Sequence, residues 1–319
     1  VTGPDLAAST CVVLALVGVA LDAGALPLPG AGFGALWLHI AAAVSLACAA
    51  WRLGGFSRPL AWSTPLDGLI LASLAIATVG MFAGSERDSL ASWFWQVLAC
   101  SGVYVGIVPL LRRSPRGRRV VWGAIAVVCF VLGAHALWAS TAGLGRLSEQ
   151  AALADRRWAG SHVLAKTVAF VTLVAMGRAL ERGSAPLWRV AVLVGGLGTA
   201  LHAAGGGFGL APEALSRLDD PLYFSSASVT FLLAIRVARL GWTLRRGRPD
   251  EVNRWRGVAV AMVAVGVTSL LGESTGGEAL RTLAVLLAAV VVAEGTAPSA
   301  TRENAPVRAA EPAELEHAA

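Results

Sequence analysis

Charge is scarce in this sequence. Only 14% of its 319 residues are Asp, Glu, Lys or Arg, where a soluble domain carries about 25%. Lysine is nearly absent, with Lys166 alone beside 25 arginines. Cysteine is limited to Cys11, Cys48, Cys100 and Cys129, each inside an apolar run and none in a Cys-x-x-Cys pair. That excludes a disulfide scaffold and a zinc-ribbon site, and the four thiols read as small buried hydrophobes. No His-Glu-x-x-His occurs, and no glycine-rich phosphate loop lies between a strand and a helix. An ordinary soluble enzyme and a disordered chain are both excluded, because 56% of the residues are hydrophobic and the mean hydropathy is +0.66.

What is present is a series of long apolar runs. A helix needs about 20 apolar residues to cross a bilayer. Ten stretches approach that length: 6–26, 33–53, 65–83, 90–111, 120–140, 160–180, 190–209, 222–243, 257–271 and 279–296. Barrel strands would alternate and be half as long. The expected class is therefore all-α: a polytopic helical membrane protein with about ten transmembrane helices. The first run is followed by further runs, so it is expected to be a crossing and not a cleaved signal. Residues 1–296 form the expected transmembrane domain. The stretch 297–319, rich in Ala, Pro and Glu, reads as a disordered cytoplasmic tail.

Arginine placement sets the expected orientation. With the first residue cytoplasmic, nineteen arginines fall on cytoplasmic segments and six on outer loops. The groups at 112–119 and 236–256 are the densest. Positive residues mark cytoplasmic loops, so both termini are expected in the cytoplasm, in a multi-pass protein of the bacterial inner membrane. The formal charge of +6 is then a topology signal, and nucleic acid is not an expected partner. Trp93, Trp95, Trp138, Trp158, Trp188 and Trp242 fall near run ends, as an interfacial aromatic belt does. Ser63 or Thr64, with Pro65 and Asp67, is a helix-start pattern; Ser114-Pro115-Arg116-Gly117 reads as a turn.

Ionisable groups inside a crossing are functional candidates. Lys166 lies about two turns into the sixth run, where it would either snorkel to the outer interface or neutralise a phosphate. His39, His135 and His202 lie at similar depth, and His162 sits at the start of the sixth run. Imidazoles can ligate haem, which makes a haem-binding membrane protein one alternative; against it, each histidine can simply bond a neighbouring helix. No metal-ligand spacing supports a metal site, and no cofactor is expected. The stretch 141–161 reads as the longest polar outer loop and brings Arg146, Asp155, Arg156 and Arg157 beside His162. A second loop supplies Arg217, Asp219 and Asp220. Paired arginines suit bidentate phosphate binding, and a histidine or carboxylate suits general-base work.

These residues carry a diffuse resemblance to bacterial O-antigen ligases and polymerases over roughly residues 60 to 295. It rests on Trp62-Ser63-Thr64-Pro65-Leu66-Asp67 with Gly84-Ser85-Glu86-Arg87. It rests more specifically on Thr141 to Arg146 with Ala154-Asp155-Arg156-Arg157-Trp158-Ala159-Gly160-Ser161, and later on Leu218-Asp219-Asp220-Pro221-Leu222. The resemblance implies transfer of a glycan from a polyprenyl-diphosphate donor to a glycan or lipid acceptor on the outer face of the membrane. It implies Arg156, Arg157, Lys166, Arg146 and Arg217 as donor-binding residues and His162 or Asp220 as the catalytic base. Envelope-biosynthesis proteins would be its partners. Gly205-Gly206-Gly207 stands where the family has Ser-Arg-Gly, and Asp219-Asp220 where it has His-Asn-Asp. A non-catalytic relative that binds lipid-linked glycan or scaffolds other enzymes is thus the alternative.

Overall fold

The computed structural model describes residues 3–22, 33–52, 64–83, 87–144, 151–181, 183–204, 221–247, 251–270 and 277–296. Among these the chain is all-helical, with ten helices and no strand. They are α1 (Gly3–Asp22), α2 (Phe33–Arg52), α3 (Asp67–Ala83), α4 (Arg87–Arg113) and α5 (Pro115–Leu144). The second half holds α6 (Ala151–Ala179), α7 (Pro186–Ala204), α8 (Pro221–Gly247), α9 (Val252–Leu270) and α10 (Gly277–Gly295). Each overlaps one of the ten apolar runs. The tail from 297 lies outside the described residues.

Local chemistry sets several helix starts. Thr64 opens α3: its N–H donates to Asp67 Oδ2 at 2.7 Å, and its hydroxyl donates to Asp67 Oδ1. The carboxylate bond to the Thr64 N–H is the reach-back half of a capping box, and a Thr64–Tyr104 hydroxyl contact of 2.9 Å ties this start to α4. The stretch Ser114–Gly117 is tighter than a turn. Ser114 is the single residue between α4 and α5. Its Oγ accepts from the Gly117 N–H at 2.7 Å and donates to Asp5 Oδ1 at 2.5 Å. Pro115 occupies the first helical position, where its missing N–H costs nothing. A Cβ on Gly117 would meet Ala8 Cβ at 2.8 Å, so glycine lets α1 lie against this junction.

Cross-links of this kind gather helix ends at one end of the bundle, called the lower end here. Arg112 Nε donates to Thr296 Oγ1 at 2.7 Å, and Trp122 Nε1 to Glu294 Oε1 at 3.3 Å. Asn253 Nδ2 donates to the Leu180 carbonyl at 3.0 Å. The starts of α1, α3, α5, α7 and α9 thus lie with the ends of α4, α6, α8 and α10. The strongest polar unit there is Glu181, whose carboxylate takes Arg254 Nε at 2.8 Å and Arg254 Nη2 at 3.2 Å, and Arg178 as well. Glu181 and Arg254 are both buried. The Arg254 guanidinium also lies 5.4 Å from the Trp122 ring and 5.9 Å from Trp255, within cation–π range.

The core is apolar and centred on α10. From Leu280 to Ala293 that helix is buried on nearly every side, and α1, α4, α6 and α8 are its main packing partners. A helix apolar all round belongs at the centre of a bundle. Glycines allow the closest crossings. A Cβ on Gly177 would stand 2.8 Å from Gly257 Cα, and one on Gly133 2.8 Å from Gly195 Cα. These small-residue contacts join α6 to α9 and α5 to α7, as in helix pairs packed within a bilayer.

The bundle's outside is also apolar. Trp51 is 83% exposed, Phe82 74% and Trp138 67%. On α7, Leu187, Val190, Leu193, Leu197 and Leu201 form an exposed stripe along the whole helix. Among the described residues three helices contain spans long and apolar enough to cross a membrane: Trp93–Arg113, Pro115–Trp138 and Phe224–Arg245. Four shorter apolar helices accompany them, at Asp5–Val19, Leu36–Trp51, Asp67–Phe82 and Pro186–Leu201.

Candidate functional site

A cavity of about 160 Å³ lies between α3, α4, α8, α9 and α10. Its walls are mostly apolar: Ile70 from α3, Val97 from α4, Leu233 from α8, Met262 from α9 and Ala284 from α10. Small side chains open the space, with Cys100, Ser101, Ala234 and Ala288 on its walls. At one extreme stand Leu66 and Tyr104, on the Thr64–Asp67 cap. At the other stand Trp93 and Arg281, near the starts of α4 and α10 and so toward the upper end.

Arg281 is the feature that gives this cavity direction. Its Nη1 donates to Gln96 Oε1 at 2.5 Å, across from α10 to α4. An amide oxygen accepting from a guanidinium fixes the cation at this end of the cavity. The result is an apolar slot with a cationic, hydrogen-bonding rim. Such a site accepts a hydrocarbon chain along its length and an anionic or polar group at one end. About 160 Å³ is close to the volume that holds a benzene-sized group, so about one or two isoprene units would fill it. Among the described lining residues no histidine or carboxylate appears.

The residues singled out from sequence stand apart from this cavity or outside the described residues. Lys166 is half-buried on α6, between buried Ala165 and Thr167. Arg156, Arg157 and His162 lie on the first turns of α6, and their side chains are not among those described. Their setting differs from the expected loop. α5 continues to Leu144 and α6 begins at Ala151, so only 145–150 separates them and most of 141–161 is helical. The reason is composition: Ala, Leu, Glu and Arg are strong helix formers even where the segment is polar. α6 has 29 residues, about 43 Å at 1.5 Å per residue. Arg146, Arg217 and Asp220 lie outside the described residues.

The histidines do not assemble into a described metal centre. His39 lies 6.3 Å from the Trp95 ring and His135 lies 6.1 Å from Trp138, while His202's side chain is outside those described. Among the described residues no group of three or more metal-ligating side chains occurs. Sequence reasoning missed the cavity and Gln96. It also passed over Gly272-Glu273-Ser274-Thr275-Gly276, which has nucleophile-elbow spacing. That stretch joins two helices outside the described residues, without the strand-to-helix setting such an elbow uses. No protein-family model, curated protein or solved structure matches the chain.

Proposed function

We propose that this is a multi-pass protein of the bacterial inner membrane that binds a polyprenyl-diphosphate-linked glycan. Its chain would enter the cavity between α3, α4, α8, α9 and α10, and its headgroup would lie at the upper, outer end. The observation that carries this reading is the apolar slot rimmed by Arg281 and Gln96. The cavity takes only a short part of a long chain; the remainder would lie along the apolar outside of the bundle. The alternation of helix ends supports ten crossings with both termini in the cytoplasm. The arginine-rich segments 112–119 and 236–256 lie at or near the lower end, as cytoplasmic loops do. In water, an outside bearing Trp51, Phe82 and the α7 stripe would drive aggregation; in lipid it is satisfied.

The activity that fits such a donor is glycan transfer on the outer face, as in O-antigen ligases and polymerases. Arg156 and Arg157 would hold the diphosphate, with Lys166, Arg146 and Arg217 nearby, and His162 or Asp220 would activate the acceptor hydroxyl. Fixed cations stabilise the charge that develops on a leaving diphosphate. The lack of a histidine or carboxylate among the described cavity residues favours a second reading, a non-catalytic binder of the same lipid. One experiment separates them. The full-length protein is purified in mild detergent, its lipids are extracted for mass analysis, and transfer to an acceptor glycan is assayed for wild type and Arg157→Ala. Bound polyprenyl diphosphate with Arg157-dependent transfer establishes the enzyme. Bound lipid without transfer leaves the binder, and a bound haem overturns both.

A further inference from the structure

The most exposed crossing candidate carries charge well inside its length. In the span Phe224–Arg245 of α8 only 28% of the window is buried, against 44% for Trp93–Arg113 and 50% for Pro115–Trp138. Yet its second half holds Arg236, Arg239 and Arg245. Arg236 and Arg239 are exposed on the outside of the bundle, and among the described residues neither makes a hydrogen bond or ion pair. Trp242 is 43% exposed, with the Arg245 guanidinium 3.7 Å from its ring centroid. Residues three apart are neighbours on a helix surface. Arg236, Arg239, Trp242 and Arg245 therefore form one continuous band winding toward the lower end.

This band is costly unless something answers it. An arginine facing hydrocarbon is unfavourable by a few kcal/mol even by lenient scales, and snorkelling relieves this only near an interface. α8 has 27 residues, about 40 Å in length, and so overhangs a core of about 30 Å by a few ångström at each end. Arg239 is eight residues before the last residue of α8, about 12 Å in rise, and Arg236 about 16 Å. Arg239 then starts about 7 Å inside the hydrocarbon edge, and its long side chain snorkels to that edge. That of Arg236 falls short unless a phosphate is drawn inward. Guanidinium groups bind phosphate oxygens bidentately, and an indole at the headgroup level anchors the glycerol region. Contrast the α7 stripe, whose exposed Leu and Val residues offer lipid only apolar contact.

We propose that Arg236, Arg239, Trp242 and Arg245 form a site for an anionic phospholipid of the leaflet at the lower end. Its phosphate is clamped by Arg236 and Arg239, and its headgroup lies against the Trp242–Arg245 pair. None of these four residues lines the cavity, and the site does not depend on the cavity's occupant.

The test uses the full-length protein in nanodiscs of mixed phosphatidylglycerol and phosphatidylcholine, with retained lipids counted by native mass spectrometry. Arg236→Gln/Arg239→Gln is compared with Arg113→Gln/Arg116→Gln, which removes two exposed arginines at the α4–α5 junction. The first pair should lose retained phosphatidylglycerol about tenfold, the change expected for one charge-assisted hydrogen bond, while phosphatidylcholine is unaffected. The second pair should retain the wild-type amount. Equal retention in the first pair overturns the proposal, as does equal loss in both pairs, which would mean general attraction to negative charge. A change in oligomeric state with unchanged lipid overturns it in favour of a protein interface. Should the glutamine pair not insert, Arg236→Lys/Arg239→Lys replaces it. Lysine keeps the charge but not the fork, and retention at the wild-type level would overturn the bidentate clamp.

Discussion

The two ends of the bundle are built differently. The lower end is fastened by polar groups that satisfy one another across helices: Glu181 with Arg254 and Arg178, Trp122 with Glu294, and Ser114 with both Gly117 and Asp5. The region above it, between α4 and α10, holds the Arg281–Gln96 hydrogen bond beside an open apolar slot. A fastened end holds helices in register at the level where buried carboxylates and guanidinium groups must be paired. An end with such a space can admit a ligand. The difference assigns stability to the first and binding to the second, and single substitutions can break that assignment.

The largest effect should come from Arg254→Ala. It removes two hydrogen bonds from buried Glu181 and a cation from the face of Trp122, leaving Arg178 as the carboxylate's partner, and breaking a buried ion pair costs up to about 3 kcal/mol. A large fall in the thermal unfolding midpoint in detergent is expected, with the lipid content of the remaining folded protein unchanged. Gly257→Val should follow. Its Cβ would stand 2.8 Å from Gly177 Cα and 2.8 Å from the Leu173 carbonyl, and overpacking of that kind costs about 1–3 kcal/mol. The same melting experiment reads it. Ser114→Ala, which deletes the cap of α5, should cost about 1 kcal/mol, again without loss of lipid. Ala284→Phe reverses the pattern. It fills the slot, so the melting midpoint should move least and co-purifying lipid should fall most. Were Arg254→Ala to empty the protein of lipid while remaining folded, or Ala284→Phe to unfold it, the division between the ends would fail.

The helices themselves were legible because hydropathy reports them directly. Each of the ten apolar runs became one helix, and the Thr64–Asp67 cap was readable from four adjacent residues. Features built from distant residues were not. Glu181 and Arg254 are 73 positions apart, and both sit in stretches whose arginines read only as an orientation signal. The cavity takes its walls from five helices, and no local pattern marks Ala284 or Cys100 as a wall. The centrality of α10 was hidden for another reason. In a chain this apolar, a helix facing lipid and one facing other helices look alike, and only the small, all-round packing of its Ala and Val residues separates them. The 141–161 stretch was misread as loop because polarity was weighed above helix propensity.

The most direct test of the proposal that the cavity binds lipid is photo-crosslinking in the native membrane. Benzoylphenylalanine replaces Val285, on the cavity wall, or Val190, on the exposed face of α7, and the adducts are identified by mass. The account predicts a polyprenyl adduct at position 285 and ordinary acyl chains at position 190. The same acyl chains at both positions, with no isoprenoid at 285, would contradict it.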